Sequence, residues 1–300
     1  MNTGDLLENL RMRGIILAAA GSILWGSSGI AGQYLLGHQQ VSPEWLTFFR
    51  LLAGGVLLLI FDALTHGGDI FSIWKNRKDG TELFLFGALG MLFTQYGYFV
   101  AIKYSNAATA TVLEYLMPIL IVAWYCLKYR RLPYKKELFC ALFAMAGTAL
   151  IATQGRFDEL AISEKALFWG LLAALACAFY TVSPKRIIEK WRSSLVVGWG
   201  MIVAAVLIAP VAFVTPVTGE LNLETLMAFV YVVIFGTVLS FCMYLGSVAY
   251  IDPGEASIIA ALEPLSSIIF SFLIFGMSFG MFELLGMFLI IAAVMVVTGR

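Results

Sequence analysis

The sequence predicts an all-α, polytopic membrane protein of ten transmembrane helices, built as two inverted five-helix repeats. Three observations predict it: an apolar composition interrupted at regular intervals, a lopsided placement of lysine and arginine, and a self-similarity between the two halves of the chain. Of the 300 residues, 61% are hydrophobic and 13% are charged, and the mean hydropathy is +0.89. A soluble domain carries about 25% charged residues and needs them in every surface helix. Here the charges gather into short clusters between apolar runs of about 20 residues, the length with which a helix crosses about 30 Å of hydrocarbon. The lipid bilayer is the solvent that such a chain requires.

Taken in order, the apolar windows fall at 14–36, 45–64, 82–102, 107–128, 134–153, 165–184, 194–214, 224–247, 254–275 and 280–299. The first follows a short N-terminal stretch, 1–13, and is too long for a cleaved signal peptide. Ser42-Pro43-Glu44 opens the second, because a serine cap, an early proline and an early acid all suit the free N–H groups of a helix start. Lys103 to Asn106 separates the third and fourth, and Ala249 to Gly254 the eighth and ninth. Merging across either would make a helix of roughly 45 residues, far longer than a bilayer needs. Each is therefore read as a tight turn.

With the N-terminus on the cytoplasmic side, fifteen lysines and arginines fall in cytoplasmic connections and three, Lys103, Arg156 and Lys165, on the other side; Arg50 alone lies inside a span. That bias fits ten spans with both termini cytoplasmic. Setting each residue beside the one 146 further on pairs Gly90 with Gly236, Thr94 with Ser240, Tyr98 with Tyr244, Tyr104 with Tyr250, Thr111 with Ser257 and Pro118 with Pro264. These are spans three and four against eight and nine, so 14–153 and 165–299 are read as the repeats. Five is odd, so the second repeat enters the bilayer from the opposite side, an arrangement suited to alternating access.

Several function classes are excluded. The formal net charge of zero provides no field for nucleic acid. Four cysteines without ligand spacing and two separated histidines suggest neither metal nor disulfide. No Walker loop, dinucleotide fingerprint, HExxH pair or TVGYG filter occurs, so no cofactor is expected and ATP drive, zinc proteolysis and potassium selectivity lack support. No cluster of catalytic polar groups suggests an enzyme. A carrier driven by gradients is the expectation; a membrane scaffold or receptor is the reading from a different class.

The candidate path residues follow from the cost of polar groups in hydrocarbon. Glu114 lies in the middle third of span four, where an acid must face a cavity, a partner or a proton. Thr111, Glu114, Tyr115 and Pro118 recur at helical spacing and are expected to form one inward stripe. Glu263 precedes Pro264 in span nine. Each proline removes one N–H and is expected to kink its helix, freeing carbonyls for a cavity or a neighbour. Arg50 either snorkels to the external interface or turns inward toward an acid or an anionic part of the solute. Span one carries small residues at Ser22, Gly26, Ser28, Gly29 and Gly32 for close packing, with Trp25 and Gln33 as polar edges. Tyr98 and Tyr244 are expected at paired inward positions, beside Thr111 and Ser257. The plainer roles are an interhelical hydrogen bond for Glu114, close packing for span one, snorkelling for Arg50 and a routine kink for each proline.

Taken together, Leu24-Trp25-Gly26, Phe48-Phe49-Arg50, Tyr98 to Ala110 leading to Pro118, Gly147-Thr148-Ala149-Leu150 and Leu262-Glu263-Pro264 resemble the drug/metabolite transporter superfamily, in its ten-helix EamA-type branch. The resemblance runs over residues 14–299. It implies export or exchange of amino acids, nucleobases or other metabolites, by a bacterial inner-membrane member. The path residues suggest a small polar or amphipathic solute, with a broad exporter of cationic drugs as the alternative, and Glu114 suggests coupling to protons or a counter-solute. The chain departs from the family where members often carry a Gly-Glu pair. It has Tyr129-Arg130-Arg131 and Gly276-Met277 there, so no role is carried over for that acid.

Overall fold

A computed structural model describes residues 3–67, 69–155, 161–216, 219–247, 249–251, 256 and 259–298. It is helical throughout. Among the described residues, eight helices are long and apolar enough to cross a membrane: Leu10–Gly37, Pro43–His66, Arg77–Tyr104, Ala107–Lys128, Lys135–Thr153, Glu164–Lys190, Ser193–Val214 and Leu223–Tyr244. Two shorter apolar helices, Leu262–Phe275 and Met281–Val296, complete the ten. They are numbered here as spans one to ten. Large apolar side chains such as Leu64, Phe213, Val214 and Phe288 cover the outside of the bundle, a surface that lipid solvates and water does not.

Local chemistry explains the starts. Ser42 accepts from Trp45 N ahead of span two, with Pro43 in the first turn. Asn106 caps span four by accepting from Thr109 N at 2.8 Å, Ser163 accepts from Ala166 N ahead of span six, and Asn222 accepts from Thr225 N ahead of span eight. These caps satisfy N–H groups that a helix start leaves without a partner.

The two halves exchange partners in the same way. Span one packs on spans eight and nine, and span six packs on spans three and four. Spans two and seven run together, as do spans five and ten. Glycines permit both crossings. A Cβ added to Gly147 would lie 2.6 Å from Gly286 O, and one added to Gly286 would lie 2.6 Å from Gly147 O. At the other crossing a Cβ on Gly55 would lie 2.9 Å from Gly198 O. Apolar cores fill the spaces between: Phe48, Leu51, Met91, Leu195 and Met201 join spans two, three and seven, while Val112, Leu113, Ile151 and Ile290 join spans four, five and ten.

Five spans depart from uninterrupted α-helix; span six turns at 183–184, between Glu164–Val182 and Lys185–Lys190. Span three contains a π-helical segment, Phe86–Met91, and span eight contains another, Ile234–Leu239. Span four stops at Glu114 and restarts at Met117. Span nine resumes at Leu262 after a turn at 260–261. The chain was expected to kink at Pro118 and Pro264. It breaks instead one turn ahead of each proline, because the ring excludes the carbonyl that would continue the preceding turn. The break in span four divides the expected stripe: Thr111, Glu114 and Tyr115 stay together at the end of the first half, where Tyr115 N donates to Thr111 O at 2.9 Å, while Pro118 lies in the second half. Tyr115 packs with Ala261, Ile291 and Val294.

At one end of the bundle, the end of span six and its connection to span seven are clamped by acids of spans two and three. Asp79, buried, accepts from Arg186 Nη2 at 2.7 Å, Lys190 Nζ at 2.6 Å and Trp191 Nε1 at 3.0 Å. Glu82 accepts from Arg186 Nε at 2.9 Å. Asp62, also buried, accepts from Arg192 Nη2 at 2.7 Å and from the Ser194 hydroxyl. Arg186, Lys190 and Arg192, counted as cytoplasmic, are thus structural partners.

Candidate functional site

Span one is the hub of the bundle, because its small residues let three other spans reach it. A Cβ on Gly26 would come within 2.5 Å of Glu263 O in span nine, and one on Gly29 would collide with the Tyr98 hydroxyl of span three. Ser28 lies against Gly236 of span eight. Glycine and serine are therefore required for approach, as packing between membrane helices demands.

Around this hub stand most of the residues singled out by sequence. The Tyr98 hydroxyl and Thr111 Oγ1 are 2.8 Å apart, both buried. Glu114 ends the first half of span four, with the Cys177 thiol of span six as its hydrogen-bonding neighbour. Glu263 lies in the first turn of the second half of span nine, and its carbonyl accepts from Ser266 Oγ at 2.9 Å. The two acids therefore sit at the two helix breaks, one before a break and one after. Half-helix ends present unpaired N–H and C=O groups to whatever lies between them.

Arg50 turns inward and is 6% exposed, which removes the snorkelling alternative. It also makes neither of the ion pairs considered for it. Its Nε donates to Thr237 Oγ1 at 3.0 Å and its Nη2 to Gly236 O at 3.2 Å, both in the π-helical segment of span eight. The Phe99 ring lies 5.2 Å beneath its Cζ. The charges of Glu114 and Glu263 reach the guanidinium through space. A π-turn displaces carbonyls from the helical ladder, and the arginine takes one of them.

The remaining candidates serve packing or capping. Gln33 Oε1 accepts from Ala107 N at 2.7 Å, capping span four, and Gln33 also lines a cavity of about 240 Å³ with His38, Lys103 and Ser105. Trp25 meets Phe241 edge-on with ring centroids 5.1 Å apart, and Tyr244 at a tilt with centroids 5.0 Å apart. Tyr244 is only partly buried, so it and Tyr98 do not occupy matching environments. Ser257 lies outside the described residues. Sequence reasoning missed Thr237 and gave Cys177 no role beside Glu114; Ser28 was marked for close packing, the contact it makes with Gly236. The Gly236 match in the repeat marked the neighbourhood of Thr237, but nothing in the sequence signals a π-turn. Thr109, which donates to the buried Glu283 carboxyl of span ten at 3.3 Å, was missed as well.

A bundle of ten apolar helices with glycine crossings, broken spans and a buried charged centre defines a multi-pass membrane transport protein. The profile of the EamA-like transporter family matches residues 12–153 and again 164–299, so the chain belongs to that family. It is 39% identical to the uncharacterized inner membrane transporter YicL of Salmonella typhimurium over 95% of each chain. It is 24% identical to the riboflavin transporter ImpX of Fusobacterium nucleatum over 88% of this chain and 90% of that one. A solved crystal structure shares the fold with a TM-score of 0.65 at 18% identity, over 94% of this chain and 95% of the other. The protein is accordingly a secondary transporter of the inner or plasma membrane and not an enzyme.

Proposed function

We propose that this chain is an exporter or exchanger of a small polar or amphipathic metabolite, such as an amino acid or a nucleobase-like compound, and that it works by alternating access. The observation that carries the reading is the centre itself: two interrupted helices bring Glu114 and Glu263 within electrostatic reach of a buried Arg50. Broken helices around a midpoint polar site are what a carrier needs, since their ends offer backbone groups to a solute without exposing them to lipid. The exchanged packing of spans one and six supports residues 14–153 and 165–299 as inverted repeats that can trade conformations. Both termini are assigned to the cytoplasm, in a bacterial inner membrane, on the placement of lysine and arginine.

Glu114 is the residue proposed to couple transport to protons or to a counter-solute. The deciding experiment is flux in proteoliposomes with an imposed proton gradient, comparing the native protein with Glu114→Gln. The amide keeps shape and hydrogen bonding but cannot titrate. A correctly inserted variant is expected to lose gradient-driven flux or its pH dependence. A variant with full rate and an unchanged pH profile makes Glu114 a packing residue.

A further inference from the structure

A guanidinium carries five N–H donors and never loses its charge in a protein. Arg50 spends two, one on Thr237 Oγ1 and one on Gly236 O. The N–H bonds of Nη1 and one of Nη2 have no acceptor among the described residues, and no carboxylate oxygen comes within ion-pair distance. The group is nonetheless 94% removed from solvent, at 6% exposure. A buried cation left without its counter-ion is strongly unfavourable unless a ligand completes it. Two further buried hydroxyls are also unpaired, one on span two itself and one on span one where it meets Gly236. Thr47, one turn earlier on the same face of span two, is 0% exposed, and its Oγ1 has no partner. Ser28, against the Gly236 whose carbonyl Arg50 holds, is 3% exposed with an unpaired Oγ.

We infer that Arg50, with the Ser28 and Thr47 hydroxyls, is the docking point for a carboxylate of the transported solute. A carboxylate offers two oxygens with lone pairs enough for a planar N–H fork and neighbouring hydroxyls together. Glu114 and Glu263, whose fields reach the same place, oppose a second negative charge. The solute class is therefore monocarboxylates, zwitterions among them, the amine of a zwitterion being the end that suits the two acids. The π-helical segment has a part in this: it takes two of the guanidinium's N–H donors and leaves the other three without an acceptor among the described residues. This inference rests on the transporter reading above and narrows its substrate class.

The test uses purified full-length protein and matched probes: phenylacetate against phenylacetamide, and L-phenylalanine against L-phenylalaninamide. Binding is read by the shift in melting temperature across a concentration series. Each acid is expected to bind about 10- to 100-fold more tightly than its amide, the range one charge-assisted contact supplies. Arg50→Lys, which keeps the charge and loses the fork, should abolish the preference. Since Arg50 also anchors span eight, Ser28→Ala with Thr47→Val serves as the second variant and should reduce the preference several-fold without touching the guanidinium. Equal behaviour of acids and amides, in binding or in the lack of it, overturns the assignment. Flux in proteoliposomes separates the two readings. An acid that binds through Arg50 but is never carried overturns transport of these solutes and leaves the docking point standing; an amide or amine that is carried with no Arg50-dependent acid preference does the reverse.

Discussion

Gly26 shows what one side chain's absence accomplishes. The Glu263 carbonyl sits where a Cβ would be, and backbone cannot yield as a flexible side chain can. Gly26→Val is expected to push spans one and nine apart, costing about 1–3 kcal/mol of overpacking and most of the flux, because the same displacement moves the Glu263 carboxyl away from Arg50. Gly26→Ala should show the same effect in smaller measure. Melting temperature in detergent and flux in proteoliposomes read the two consequences separately; a Val variant with native values for both would show that this approach is not required. The motif was legible as small residues for close packing. Which helix they admit was not, since an apolar span of one composition packs equally well on several neighbours.

At the scale of elements, the clamp between the first half of the chain and the segment 185–192 gives a second prediction. Hydrogen bonding to the Asp62 carboxylate pushes the Arg192 guanidinium further above its already high range, so this cation stays charged at every physiological pH. The clamp therefore answers to salt and to mutation. Asp79→Asn removes the charge that Arg186 and Lys190 share and leaves an amide that cannot accept from all three donors at once. Trypsin should then cut at Lys185, Arg186 or Lys190 several-fold faster in the folded variant. Unchanged cleavage would mean that the apolar seat of Ile187, 0% exposed, holds the segment without help. The helix breaks belong to this scale as well. Prolines announced the irregularity in spans four and nine, but the π-helical segments of spans three and eight had no sequence mark beyond the Gly90 and Gly236 match.

For the whole molecule, the charge distribution yields an orientation that packing alone does not. Reporter fusions after Arg300 and within 215–223 are expected to read cytoplasmic and external respectively. The opposite result would reverse the sidedness of the clamp and of the cavity near Lys103. The exchange of spans one and six between the halves makes the central site a shared one. Arg50 and Glu114 come from the first half, while Glu263, Gly236 and Thr237 come from the second. Motion of one half against the other must therefore change the distances among these groups, which is the physical requirement for coupling solute binding to access.

Composition and the spacing of charged clusters were enough to establish a helical membrane protein of ten spans, because hydrocarbon imposes one length and one backbone solution on every crossing. The cost of burying charge likewise marked Glu114, Glu263 and Arg50 as residues in need of partners. What those partners are was decided only in three dimensions. Arg50 holds a π-turn in span eight and makes no direct pair with either acid, Gln33 caps a helix, and Pro118 is parted by the helix break from the stripe of Thr111, Glu114 and Tyr115. Such outcomes depend on where a helix breaks and how closely two glycines meet. Both are set by contacts between segments far apart in the chain, 74 residues for Gln33 and Ala107 and 187 for Arg50 and Thr237, which periodicity within a single span cannot report.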